Sequence, residues 1–397
     1  MCRSFIEGDF KPEVSTHGSP RRTIVLTLAE TGLHLFRHSL IRLGQSCVQL
    51  AISSEAAVTA KAAARGKPAA TVPHVKYLLK RVQSVSALYA ASSTEVTSSM
   101  IEKLDQAVQL GRESQMVADN PVDEVQAWGT VAIALQLAGS DAPSVVEAYL
   151  NAIGASRRLP PVQVKADEVV PLALFVQAAR LLLLGGRFNQ ARTILLYACS
   201  LYTSATLFML LGVCYLRLDE LDNAEAALVE ANLLDNRNAS VWAYLSLVCL
   251  ASGPHRMVEA ERSLEQALRL GQEDAQVLRE LATSFMSVDK LQIAEDLIRR
   301  ALRKETLEGA SSGASSKYTS NARTRRLLAD ILAGQNQAVK AVEEYQRVIA
   351  DEGADLKTKL EAAERCTELL SSLGRDEEMV TLKSIIAVLR ENGARGE

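Results

Sequence analysis

From Phe175 to Ile386 the apolar residues recur three and four positions apart, in runs separated by short polar turns. On a helix this spacing gathers the apolar side chains onto one face, so the pattern predicts a succession of amphipathic helices. The clearest example is ATLFMLLGVCYLRLDELDNAEAALVEANLLDNRN at 205–238, in which two such helices flank the turn RLDELDN. Small residues at Gly212, Ala224 and Ala231 let the two helices approach, while Phe208, Leu211, Tyr215 and Leu228 fill the space between them. Upstream, the segments 76–91, 98–118, 122–138 and 143–156 carry the same period less sharply, with Trp128, Tyr149 and Ala152 at matching places. The first 32 residues hold one β-prone run, Thr23 to Leu28, and are expected to be poorly ordered.

The unit at 205–238 is not isolated. Phe175, Ala178, Ala179 and Leu182 precede Ala191, Leu195 and Ala198; Trp242 and Leu245 precede Ala260, Leu264 and Ala267. Leu278, Leu281, Ala282 and Phe285 precede Ala294, Ile298 and Ala301, so the leading alanines of the second helices fall at 191, 224, 260 and 294. Their steps of 33, 36 and 34 residues, with two extra residues around Gly253-Pro254, match the 34-residue tetratricopeptide template. The fold class expected is therefore all-α, a tetratricopeptide superhelix (α-solenoid) of antiparallel helix pairs. Its boundaries read as degenerate hairpins over 33–170 with an Ala-rich linker near 54–70, and a core array over 171–308. A Gly/Ser-rich inserted loop over 309–321 follows, then a further repeat and capping helices over 322–397.

Composition changes this picture little. Hydrophobic residues make up 48% of the 397, enough for a sizeable core, and aromatics only 5%, a balance that suits close-packed helices better than sandwiches. A net charge of -3 hides a basic segment, 1–82, with twelve Lys/Arg against five Asp/Glu, and an acidic one, 205–308, with eleven against seventeen. No dense Lys/Arg block appears in the basic segment, so nucleic acid is not the expected partner. The six cysteines are scattered, without a CxxC pair, as small buried hydrophobes of a reducing compartment. Early acids at Glu7, Asp9 and Glu13 fit neither a signal nor a transit peptide, Cys2 precludes myristoylation, and no run of about 18 apolar residues predicts a membrane span.

Residues 205–267 resemble the C-terminal tetratricopeptide region of the cilia- and flagella-associated protein 70 family, through LGVCYLRLDELDNAEAALVEANLLDNRN and then VWAYLSLVCL. The generic repeat does not require the run EANLLDN followed by VWAYLSLVCL, which makes the resemblance specific over about a sixth of the chain. It implies a place in the cytoskeleton of the motile cilium or flagellum, in the axoneme, among dynein-linked or central-apparatus assemblies.

Catalytic patterns fail in context. GASSG at 309–313 spells a nucleophile elbow but lies in low-complexity sequence, without the strand and helix the elbow needs. His34 and His38 stand four apart with no further ligand type at metal spacing, and His255 sits in a lengthened turn, so no metal or cofactor is expected. Asp219, Glu220 and Asp222 complement the dipole of the following helix, and Ser240 is a candidate N-cap within Asn238-Ala239-Ser240.

Function is therefore sought on the concave face, which the first helix of each pair lines. The template positions select Val176, Arg180 and Leu183 in one repeat, and Met209, Val213 and Leu216 in the next. They continue with Leu247 and Leu250, then Arg279 and Met286. This groove reads as mostly apolar and Met-containing, suited to the apolar face of a partner helix, or filled by the chain itself. Leu210, Tyr244 and Glu280 stand where the carboxylate clamp of chaperone-binding repeats needs Lys, Asn and Arg, so that clamp is not expected. The reading is a non-enzymatic scaffold for proteins of the axoneme. A cytoplasmic adaptor of another complex is the alternative within binding modules, and an enzyme with its chemistry before residue 170 the alternative from another class.

Overall fold

A computed structural model describes residues 46–47, 49–53, 73–92, 98–118, 120–159, 171–311, 316–351 and 353–395. The β-prone run, the Ala-rich linker, His34 and His38 lie outside these residues. Every described element is helical, and the chain divides into two compact units, Met1–Thr203 and Ser204–Glu397.

In the first unit α1 (Pro73–Ser92) and α2 (Ser98–Met116) pack as a pair, followed by α3 (Pro121–Leu137) with α4 (Ala142–Ser156) and α5 (Leu172–Leu184) with α6 (Phe188–Leu201). Local sequence starts these helices. Asn120 caps α3 by accepting from Asp123 N at 2.9 Å, with Pro121 opening the first turn, and Asp141 caps α4 by accepting from Ser144 N at 3.2 Å. Such caps satisfy backbone donors that have no partner inside the helix. Tyr77, Tyr149 and Phe175 are fully buried, and the Tyr77 hydroxyl is satisfied by donating to Asp123 O at 3.0 Å. Tyr149 and Ala152, singled out by the weak upstream pattern, lie in this core, whereas Trp128 is half-buried. Gly129 of α3 leaves room for Leu174 of α5, which joins the hairpin at 172–201 to those before it. The first compact unit accordingly includes this hairpin and ends at Thr203.

The second unit stacks five hairpins. They are α7 (Ala205–Arg217) with α8 (Leu221–Leu234), α9 (Ala239–Ser252) with α10 (Met257–Arg269), and α11 (Ala275–Ser287) with α12 (Leu291–Ser311). The stack continues with α13 (Ser316–Gly334) and α14 (Ala338–Ala350), then α15 (Leu356–Ser372) and α16 (Asp376–Arg395). Each helix packs on its hairpin partner, and each first helix also touches the first helix of the next hairpin. One apolar core runs from Ala243 and Leu247 through Phe285, Leu332 and Tyr345 to Leu382, and a smaller one joins Leu228 and Ala231 to Val241 and Val248. Ala224, Ala260 and Ala294, which carry the repeat period, are 0% exposed, as is Ala341 of α14: they are small because a neighbouring helix lies against each.

The turns inside hairpins need one left-handed residue. Asp219, Asp289 and Asn336 supply it at φ 61°, 60° and 59°, the residue types that tolerate this region best after glycine. Asp219 is thus a turn residue before it is a dipole partner. In the lengthened turn Gly253 adopts φ 117°, and Pro254–Arg256 form a short 3₁₀ turn before α10. The cap of α9 is Asn238, accepting from Ser240 N at 3.1 Å, and not Ser240 itself.

The loop expected over 309–321 is mostly helix. Residues 309–311 complete α12 and 316–321 begin α13. Propagation from an established helix adds one hydrogen bond per residue fixed, so α13 extends backwards from buried Ala322 and Thr324 without apolar periodicity of its own.

Candidate partner-binding face

A concavity of about 960 Å³ runs along the first helices of all five hairpins in the second unit. Helix α7 contributes Leu216 and Arg217, and α9 contributes Leu247 and Ala251. Helix α11 supplies the middle with Gln276, Arg279, Glu280 and Thr283, followed by Arg323, Arg326 and Leu327 of α13. The far end is Asp355, which caps α15, with Lys357, Thr358 and Glu361.

Ion pairs across hairpins hold these charges in place. Arg217 Nη2 donates to Glu280 Oε2 at 2.6 Å, joining α7 to α11 past the intervening α9. Arg323 Nε lies 3.6 Å from Asp355 Oδ1, and Arg326 pairs with Glu361. Arg279 pairs with Glu305 of α12 and donates to Thr324 Oγ1 at 3.2 Å, and Thr324 in turn donates to Glu305 Oε1 at 3.0 Å. The Glu305 side chain is only 8% exposed, so it depends on this network for the solvation it has lost. Asp355 also accepts from Thr358 N at 3.3 Å and from Thr358 Oγ1 at 2.8 Å. Burial pushes the Tyr244 hydroxyl up to about 12, with Glu280 adding to the shift, so it stays protonated at neutral pH.

The structure separates the candidate residues. Leu216, Leu247 and Arg279 line the concavity together. Val213 and Leu250 are each 7% exposed and belong to the packing between helices. Met209 packs against the small core around Leu228, and Met286 against the larger one. Val176, Arg180 and Leu183 lie on α5 in the first unit, with Arg180 exposed and the other two half-buried. The face expected to be mostly apolar has charged side chains at eight of its sixteen lining residues, because Val213 of α7 and Leu250 of α9 turn into the stack. Residues one step further along, Arg217 and Glu280, reach the surface.

Among the described residues no group of three His, Cys, Asp or Glu is placed to hold a metal ion. Cys214, Cys249 and Cys366 are buried thiols, and no described helix is long and apolar enough to cross a membrane.

Comparison with known proteins agrees with the repeat geometry. Two curated relatives, both named cilia- and flagella-associated protein 70, from Macaca fascicularis and Homo sapiens, are 38% identical over 110 residues. That segment is 28% of this chain but only 11% and 10% of those relatives' length. Among solved structures, a tetratricopeptide repeat protein from Parabacteroides merdae is similar to 75% of this chain and 98% of its own, with 12% identity and a TM-score of 0.48. YrrB, described as a TPR protein with an unusual peptide-binding site, covers 48% of this chain and 88% of its own at 16% identity and a TM-score of 0.37. A family model described as the cilia and flagella-associated protein 70 C-terminal domain matches residues 79–369, and the chain belongs to that family of tetratricopeptide proteins.

Proposed function

We propose that the protein is a non-enzymatic scaffold of the ciliary or flagellar axoneme that holds a partner protein against the concave face of its second unit. The observation that supports this reading most is the concavity itself: five successive first helices present side chains to one surface, in a member of a cilia-associated family. A stack of hairpins offers such a surface without rearranging, so little conformational entropy is lost when a segment docks. The ion pairs along it fix the donors in advance.

A photo-crosslinking residue at Thr283, exposed in the middle of the face, tests the reading in isolated cilia. Cross-links to an axonemal protein, with the chain retained after detergent extraction, are expected. A chain that leaves with the detergent-soluble fraction, or cross-links from Arg262 on α10 but not from Thr283, would overturn it.

A further inference from the structure

The charge of the concave face runs against that of the unit carrying it. Residues 204–397 hold 24 Lys/Arg and 31 Asp/Glu, a net charge of -7. The lining of the concavity holds five cations, Arg217, Arg279, Arg323, Arg326 and Lys357, against three acids, Glu280, Asp355 and Glu361. Each of those acids already faces an arginine. Arg279 is held in turn by Glu305, so the charge left uncompensated in this lining is that of Lys357, with Arg323 only loosely held by Asp355, and the acidic surplus of the unit lies outside the lining.

From this segregation we propose that the face takes an extended acidic segment of a partner protein, anchored by an apolar side chain. The proposal rests on the partner-binding role argued above and adds the chemistry of the partner. The two ends of the face differ. Leu216, Leu247 and Ala251 make the α7–α9 end apolar, while Arg323 and Lys357 stand exposed at the α13–α15 end. Arg323 makes one loose contact with Asp355, whose oxygens also accept from Thr358, so most of the five donors of its guanidinium remain for an incoming carboxylate. Walls of protein on both sides of a groove concentrate such a field and favour a partner of opposite sign. Five first helices at about 8–10 Å spacing span about 40 Å. That length corresponds to about twelve residues of extended chain.

The test uses the full chain and labelled twelve-residue peptides carrying leucine at both ends, so that either direction presents an anchor, with glutamate between in one and lysine in the other. Fluorescence anisotropy should show the glutamate peptide binding, and its affinity falling about tenfold from about 50 to about 300 mM salt. The double variant Arg323→Glu/Lys357→Glu should weaken it about tenfold or more, whereas Arg262→Glu on α10 should not. Both reversed positions are exposed, and a glutamate at 357 suits the first turn of α15, so a loss of binding is not a loss of fold; the circular dichroism melt checks this. The lysine peptide binding as tightly, or an unchanged affinity in the double variant, would overturn the acidic segment. Thr283 cross-links persisting without glutamate-peptide binding would keep the scaffold reading and reject only this partner chemistry.

Discussion

Leu228 of α8 lies so close to Gly212 of α7 that a Cβ at 212 would fall 2.6 Å from its Cγ and 3.2 Å from Ala224 O. No rotamer change of an exposed side chain relieves this, because Leu228 is fully buried. Gly212→Ala should therefore lower stability by about 1–2 kcal/mol despite the better helix propensity of alanine. At Gly154 in α4 an added methyl would meet nothing within 4 Å, and Gly154→Ala should raise stability by about 0.5–1 kcal/mol. Urea denaturation of the two variants beside the parent chain measures both signs; two shifts of the same sign would refute the packing account.

Val213→Glu should act on the fold and not on partner binding. The side chain is 7% exposed, and a carboxylate there loses hydration without gaining a partner, at a cost of about 3 kcal/mol or more. Reduced helical circular dichroism or a sharply lowered melting temperature is the expected readout. A chain that melts like the parent would show that position 213 opens to the surface.

The lengthened turn between α9 and α10 is fastened by Arg256. Its guanidinium donates to both oxygens of Glu225 at 2.6 and 2.7 Å and to Glu259 at 2.7 Å. Those hydrogen bonds hold the Glu225 carboxyl below the usual carboxylate range. A lowered folded value means that the stabilisation is fully present above the unfolded carboxyl pKa of about 4.3 and is lost as the pH falls through the folded value. The melting-temperature gap between the parent chain and Glu225→Gln should accordingly be widest at neutral pH and close on acidification below about pH 4. A gap independent of pH would remove the ion pair from the explanation.

Two thiols should resist alkylation in the folded chain. Burial pushes Cys199 and Cys366 each up to about 11. At pH 8 the thiolate fraction of such a group is about a hundredfold below that of a free cysteine. Iodoacetamide labelling followed by mass spectrometry should find both slow in native buffer and fast in urea. Rapid labelling of Cys366 in the native state would indicate that α15 opens.

The stacking core was legible because its requirement is local and periodic. Ala224, Ala260 and Ala294 must be small wherever a helix crosses, and Phe285 or Leu228 must be large beside them, so the sequence carries the rule at every repeat. The binding face obeys no such rule. Whether Val213 or Arg217 reaches the concave surface depends on how successive hairpins rotate against each other, a property of the stack and not of any one helix. Asp355, Lys357 and Glu361 were missed for a second reason: the repeat they belong to keeps small residues at Ala362 and Ala363 but has no aromatic residue on either helix, which leaves its register hard to count. The helical start of α13 was hidden because Ser316, Thr319, Ser320 and Asn321 are weak helix formers without an apolar period and gain their order from the residues that follow.

The pair formed by Arg217 and Glu280 skips a hairpin, and this makes it a gauge of curvature. Neighbouring hairpins can slide or tilt slightly without parting it, but any motion that straightens the row of first helices lengthens it directly. A part-exposed ion pair of this kind contributes about 1 kcal/mol or less, so its distance reports the bend of the row while the continuous apolar core beneath it sets the stiffness.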